Sequence, residues 1–497
     1  MARSTLAELT ARATAATEPG FTAASTPRLG GVDPLGMRQI NFDLMDQVFP
    51  GLNNVARHIR PFVLATWAWR RANQIAQKQG KREIPVDQMS DFVDRIDVIF
   101  AWSQFMSDPA TDLPGSRVLA NILRADQWTF GGSAWRQRRK ERRFSTALTA
   151  PINYGPALRM LGWVQPHSEH REVLIPTPAA ASALDAFEAK IKDRLNHAAF
   201  SQFGSVTVTA KEVGRWSEAW ALASPTRPEK TAMKEMLFGP NAPLSRQRAG
   251  ELLLAAAKRF STKDTAVLRA AMAGRPSRFE PPTDLIEIRD TWRVVQMRQL
   301  FRLSLEALLC WALTIVSESS KTTEALIALF LDCVPVRART VREWLASLRP
   351  RNVGPTEVID EISEALASSP DEVPRAVLRG IALSLAEAPE KDSPGERPDR
   401  LPLSRARREA AARGAASPRE FVRHLIESWV LAQHVYWSVG RGLADARAQG
   451  KTLLRLKIVL DEGGWSVAPG VSPGPPPLPT PDRLKTVVSL ADECGLL

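Results

Sequence analysis

The sequence predicts a mainly α-helical, multi-domain protein that closes on a small C-terminal α+β segment. Apolar residues recur at three- and four-residue spacings over most of the chain, the signature of amphipathic helices. Alternating apolar stretches are few and short. With 497 residues, 44% of them hydrophobic, the chain has material for about three cores at ~100–200 residues each.

Residues 1–34 read as a flexible leader: they are rich in Ala, Thr, Ser and Arg, carry Glu8 and Glu18, and lack the continuous apolar stretch of a secretory signal. A helical domain follows over residues 35–130. Its first apolar stripe is Leu44, Val48, Phe49, Val55, Ile59, Phe62, Val63 and Trp67. A further helix begins near Val86, with Asp87 near its cap and Phe92, Val93, Ile96, Ile99 and Phe100 on its buried side. Asp91, Asp94 and Asp97 fall on related faces of that helix and could in principle hold a divalent ion. With no His or second acidic cluster beside them, the simpler reading is a solvated polar edge.

Residues 201–386 form a central helical domain, with helices over 248–260, 291–316, 322–331 and 340–348 and one short strand at Val206 and Val208. The apolar window 303–316 is shorter than the ~20 residues of a membrane span and contains Glu306, so it reads as a buried helix. Residues 387–402, rich in Pro and charge, read as a linker. In the C-terminal segment, 403–497, a helix over 418–448 precedes a strand through Leu454, Leu456, Ile458 and Leu460. A stiff proline-rich connector then leads to a last helix, with Thr480 as cap and Pro481 in its first turn.

Charge points toward polyanions. Lys plus Arg number 66 against 54 Asp plus Glu, a formal net charge of +12. The excess is densest at Arg136, Arg138, Arg139, Lys140, Arg142 and Arg143, where only Glu141 offers a local counter-charge. Such a stripe can contact several phosphates, and Trp128 and Trp135 could stack on bases or sugars. A solvated, salt-bridged helix is the alternative. Cys310, Cys333 and Cys494 lie far apart with no C-x-x-C pair, which argues against a zinc ribbon or a disulfide framework and for a reducing, cytoplasmic setting.

After the stripe, residues 131–200 hold a short helix ending at Gly162, an apolar strand Val173-Leu174-Ile175 behind a polar turn, and Thr177-Pro178 opening a new helix. Over residues 144–195 this order resembles the second half of a winged-helix module of the kind found in bacterial transcription regulators. The resemblance implies a recognition-type helix at 153–161 presenting Asn153, Tyr154 and Arg159 outward, with His167 and His170 on the wing. Winged helices also serve as protein-interaction modules.

Other motifs have duller readings. His167-x-Glu169-His170 differs in spacing from H-E-x-x-H and suits a polar wing tip. Glu188-x-Lys190 copies a nuclease fragment, but in an Ala-rich helix rather than on a buried strand. Gly450-Lys451-Thr452 lacks a Walker loop because Asp445 stands where a glycine is needed. No catalytic residue, metal site or cofactor is therefore expected.

Two patches are similar to an uncharacterised family of bacterial proteins encoded in phage-defence islands: residues 46–62, with Phe49-Pro50-Gly51, Ala56-Arg57 and Phe62, and the ending Pro479-Thr480-Pro481-Asp482-Arg483-Leu484 with Gly495-Leu496-Leu497. The resemblance implies an accessory role in anti-phage immunity and transfers no catalytic residues. The expectation is a DNA-binding or adaptor component acting on double-stranded DNA with other proteins of its system and with no membrane association. The alternatives are a metal-dependent nuclease and a pure protein scaffold.

Overall fold

A computed structural model of the chain describes residues 33–80, 83–109, 113, 122, 124–133, 135, 154–274, 279–389, 398–449, 455–472 and 474–497. Helices dominate it, as the periodicity predicts. Helices α1 (Arg38–Val48), α2 (Ile59–Lys78) and α3 (Val86–Ser107) form where the apolar stripes lie. Most of α2 is buried, with Phe62, Val63 and Trp67 inside. Asp97 departs from expectation: only 1% exposed, it is no solvated edge, because α3 is covered on that side too.

Strand β1 (Gln127–Phe130) leads toward the short helix α4 (Gly155–Met160), the hairpin of β2 (Val164–Pro166) and β3 (Leu174–Pro176), and then α5 (Ala181–Lys190) and α6 (Ala198–Ser201). The expected strand at Val206 exists as β4 (Val206–Thr209), running antiparallel to β1 with Phe130 opposite Val206. Its partner was not foreseen. Helices α7 (Ala210–Ser217), α8 (Arg227–Phe238), α9 (Leu244–Phe260) and α10 (Thr265–Ala273) follow. Thr209 with Glu212 and Thr226 with Glu229 build reciprocal capping boxes at the starts of α7 and α8.

The 33-residue helix α11 (Ile286–Glu318) is the spine, roughly 50 Å long at 1.5 Å per residue. It is long and apolar enough to cross a membrane by length and composition, yet 78% of its apolar stretch is buried inside the protein. Against it pack α14 (Pro355–Ser368) and α15 (Val373–Ala386), and α12 (Thr323–Asp332), α13 (Val341–Leu348), α16 (Leu403–Ala412) and α17 (Pro418–His424) complete that half of the protein. Gly380 of α15 lets that helix approach closely, since a Cβ there would lie 2.3 Å from Ser304 Oγ. The single helix expected over 418–448 is instead α17, a π-helical stretch Leu425–Ala432, and α18 (Gln433–Gln449). In the widened turns Trp429 donates to Glu409 at 2.8 Å. Strands β5 (Ile458–Asp461) and β6 (Gly464–Val467) form a hairpin, and α19 (Leu484–Glu493) ends the chain.

Two hydrophobic cores result, and they divide the chain differently from the sequence boundaries at 131, 201 and 387. One unites buried residues from Ile40 to Val295 with Leu484, Val487, Val488 and Leu490 of α19. The other joins Leu35 and Met37 to residues from Met297 to Ile458. The division falls inside α11, which serves both cores.

The proline-rich connector is a strap pinned along α11. Gln299 Nε2 donates to Thr480 O at 2.7 Å and its Oε1 accepts from Thr480 N at 3.1 Å. Thr480 is therefore not a cap. The helix starts later, at Leu484, with Arg483 at φ 64° as its N-cap residue. Thr177 likewise caps nothing with its side chain: its hydroxyl donates to Gly162 O at 2.6 Å, and a 3-10 turn, Pro178–Ala180, precedes α5.

Candidate nucleic-acid interface

The β2–β3 hairpin is held from below. Asn73 of α2 donates to Leu174 O at 3.0 Å, and Trp163, fully buried, packs edge-on against Phe62. Its tip points outward and is organised by its own histidine: the amides of Glu169 and His170 donate to His167 Nδ1 at 3.2 and 3.4 Å. That nitrogen is an acceptor, so the neutral ring carries its proton on Nε2. Gln165, Glu169, Arg171 and Glu172 around the tip are exposed. Among the described residues no three His, Cys, Asp or Glu side chains group as a metal site.

Helix α4, which contacts β2 at the base of the hairpin, has only six residues. Arg159 and Met160 are exposed on it. Tyr154 is not: its ring is fully buried and meets Phe62 edge-on at 4.8 Å. Burial pushes its phenol far above the ordinary range. The expectation that Tyr154 reads DNA is thus corrected; the apolar side of a short helix took the aromatic ring into the core. Trp135 is corrected in the same way, being 3% exposed against Phe130 at 5.1 Å, and Trp128 is half-buried at the core edge. Arg136, Arg138, Arg139, Lys140, Arg142, Arg143 and Asn153 lie outside the described residues, as does Gly450-Lys451-Thr452. The tip and Arg159 are what the structure places at the surface.

The two patches singled out by resemblance meet beneath this surface. Gly51 adopts φ 80°, and a Cβ there would lie 2.7 Å from Met160 Cβ, so the Pro50-Gly51 turn seats the end of α4. Arg246 of α9 holds that turn, donating to Pro50 O at 2.6 Å, Met236 O at 2.8 Å and Leu237 O at 2.9 Å. From the other patch, Arg483 Nη1 reaches Asp46 at 2.5 Å and Phe49 O at 2.9 Å, while its amide donates to Asn54 Oδ1 at 2.7 Å. Glu493 completes the closure: one carboxylate oxygen accepts from Ile59 N at 2.8 Å and the other lies 2.6 Å from His58 Nδ1. This carboxylate caps α2, whose N-cap His58 makes no side-chain cap bond. The junction ties residues 46–59 to residues 483–493.

Several of the chain's cations are internal. Arg60, Arg95, Arg246, Arg298 and Arg302 are each no more than 2% exposed; each donates to a backbone carbonyl, and Arg60 and Arg302 also donate to the carboxylates of Glu229 and Glu306. Arg95 donates to Gln202 O and Gly204 O, and Arg298 to Leu401 O and Arg400 O. Burial lowers Arg95 and Arg246 to about 10, so both stay charged at neutral pH. Net charge in a sequence does not say which cations face water. The nuclease-like fragment is also spent structurally: Asp185 and Glu188 pair with Arg70 at 2.6 and 2.7 Å, and Glu188 accepts from Trp67 Nε1.

No protein-family model matches the chain, and neither a curated protein nor a solved structure is similar to it.

Proposed function

We propose that this protein is a non-catalytic, duplex-DNA-binding adaptor of a bacterial multi-gene system, acting in the cytoplasm in anti-phage defence with other proteins of that system. Its contact surface would combine Arg159, the β2–β3 tip and the basic segment Arg136, Arg138, Arg139, Lys140, Arg142 and Arg143. One observation carries the reading. The short helix, strand, polar tip, strand and helix over residues 155–190 occur in the order of the second half of a winged helix, and they expose Arg159 and Arg171 just after the densest run of cations in the chain. Phosphate contacts from that run would supply affinity, and Arg159 would supply what base or groove preference there is.

The test is a titration of duplex DNA at several salt concentrations. With four or five phosphate contacts, log K falls against log salt with a slope of roughly −4, at about −0.9 per contact. Binding that is absent at low salt, or indifferent to salt, overturns the proposal in favour of a scaffold. Metal-dependent nicking of plasmid by the purified protein would favour the nuclease.

A further inference from the structure

Between α10, α11, α14 and the proline strap lies a cavity of about 330 Å³. Gln296, on its α11 wall, stands where that helix passes from one core to the other: Val295 belongs to the first and Met297 to the second. The cavity is thus set in the seam of the molecule. Its apolar lining is aliphatic, from Ala266 and Ala270 of α10, Ile359 of α14, and Pro479 and Pro481 of the strap. A volume of this order suits a small organic ligand rather than a lone ion.

Among the described residues four charged side chains line it. Arg269 and Asp482 cancel, because the guanidinium donates to the two carboxylate oxygens from Nε at 2.5 Å and from Nη2 at 3.2 Å. Glu357 is committed to the start of α14, where its Oε2 accepts from Gly354 N at 3.1 Å and Thr356 Oγ1 at 3.0 Å. Asp360 is left. It is exposed, and its carboxylate makes no hydrogen bond or ion pair with a described residue. Burial and the carboxylates of Glu364 and Glu357 hold it above the ordinary aspartate range against the opposing pull of Arg269, so this wall is short of positive charge.

Two buried polar atoms at the cavity also lack partners. Gln296 is 1% exposed; its Nε2 donates to Asp482 Oδ2 at 3.2 Å, as a carboxylate requires of the amide, and its Oε1 has no hydrogen-bond partner. Thr480, also 1% exposed, bonds Gln299 through its main chain, and its hydroxyl is likewise without a partner. Such groups cost free energy unless something satisfies them. We infer that the cavity binds a small organic cation, a primary ammonium on a short alkyl chain. The ammonium donates to Gln296 Oε1 and Thr480 Oγ1 with Asp360 as its counter-charge, and the chain lies along Ala266, Ala270 and Ile359. This site is separate from the proposed DNA surface and does not depend on it.

The probe is n-butylammonium. The full-length protein is titrated calorimetrically with it, with tetramethylammonium, which has the charge but no N–H, and with potassium, all at constant ionic strength. Butylammonium is expected to bind with a dissociation constant on the order of 1 mM, as befits so few non-hydrogen atoms. The other two should bind at least about tenfold more weakly, since neither can donate a hydrogen bond. Asp360→Asn, a change at an exposed position, should raise the butylammonium constant about tenfold through loss of the charged partner, with an unaltered melting temperature. Thr480→Val removes only the hydroxyl; it should weaken binding severalfold and leave the unliganded protein at least as stable as before. If that variant does not fold, the Asp360→Asn result decides. No saturable heat by about 20 mM butylammonium, tetramethylammonium or potassium as effective as butylammonium, or wild-type affinity in Asp360→Asn overturns the inference.

Discussion

The underside of the α4 turn and the α4–hairpin surface above it use the same residue type in opposite ways. Below, Arg246 and Arg483 are buried and aimed at backbone carbonyls of residues distant in sequence. Above, Arg159 is exposed on α4 and Arg171 at the hairpin tip, whose amides bond the His167 ring. A buried guanidinium satisfies carbonyls that no helix or sheet can reach, and its charge is tolerated because those dipoles replace water. An exposed one is available to a phosphate. Local density of exposed cations, more than net charge, is therefore the guide to where a polyanion would bind.

The largest expected effect comes from removing a buried arginine. Arg246→Ala leaves the carbonyls of Pro50, Met236 and Leu237 without their donor and should cost about 3 kcal/mol or more in chemical denaturation; a loss below about 1 kcal/mol would show that the clamp is dispensable. Gly51→Ala is next. It forces φ 80° on a residue with a Cβ and drives that atom toward Met160, for an expected ~1–3 kcal/mol from strain and overpacking. Because the strain falls on α4, DNA affinity should drop with it.

Acid sensitivity separates the buried groups further. Burial pushes His434 below the ordinary histidine value, with Lys457 adding to the shift and the Pro34 carbonyl opposing it. The unfolded chain therefore takes up a proton near pH ~6.5 that the folded protein refuses, and stability falls as pH drops below that point. At Glu409 burial alone would raise the pKa, but hydrogen bonds from Trp429, Arg405 and His424 outweigh it and bring the carboxyl to about 2. Its contribution is complete above an unfolded value near ~4.3 and disappears as pH falls toward 2. Melting temperatures from pH 8 to 3 should show both windows, and His434→Gln should flatten the first. The smallest stability effect belongs to the exposed side: Arg159→Ala should change unfolding by less than about 0.5 kcal/mol while altering preference among DNA sequences.

The helices α1, α2 and α3 were legible because their apolar stripes are long and periodic. β1 was not, since Gln127-Trp128-Thr129-Phe130 has only two apolar residues and pairs with a strand far along the chain. Tyr154 and Trp135 were misread because an aromatic beside cations suits either a core or a stacking platform, and only the tertiary partner, Phe62 or Phe130, decides. The patches 46–62 and 479–484 stood out in the sequence, but their meeting could not be inferred, because Arg483 and Arg246 recognise carbonyls, which carry no side-chain signature. Glu306 was visible as a charge in an apolar window, with Arg302 four residues earlier on the same face.

The basic segment is the centre of the proposed DNA surface, and reversing Arg138, Arg139 and Arg142 to Glu tests that role. The variant is first checked by circular dichroism, then titrated with duplex DNA over a range of salt. The prediction is unchanged helicity, weaker binding on every sequence and a slope flattened from roughly −4 toward −1, three contacts at about −0.9 each having been removed. A well-folded triple reversal with wild-type affinity and slope would contradict it.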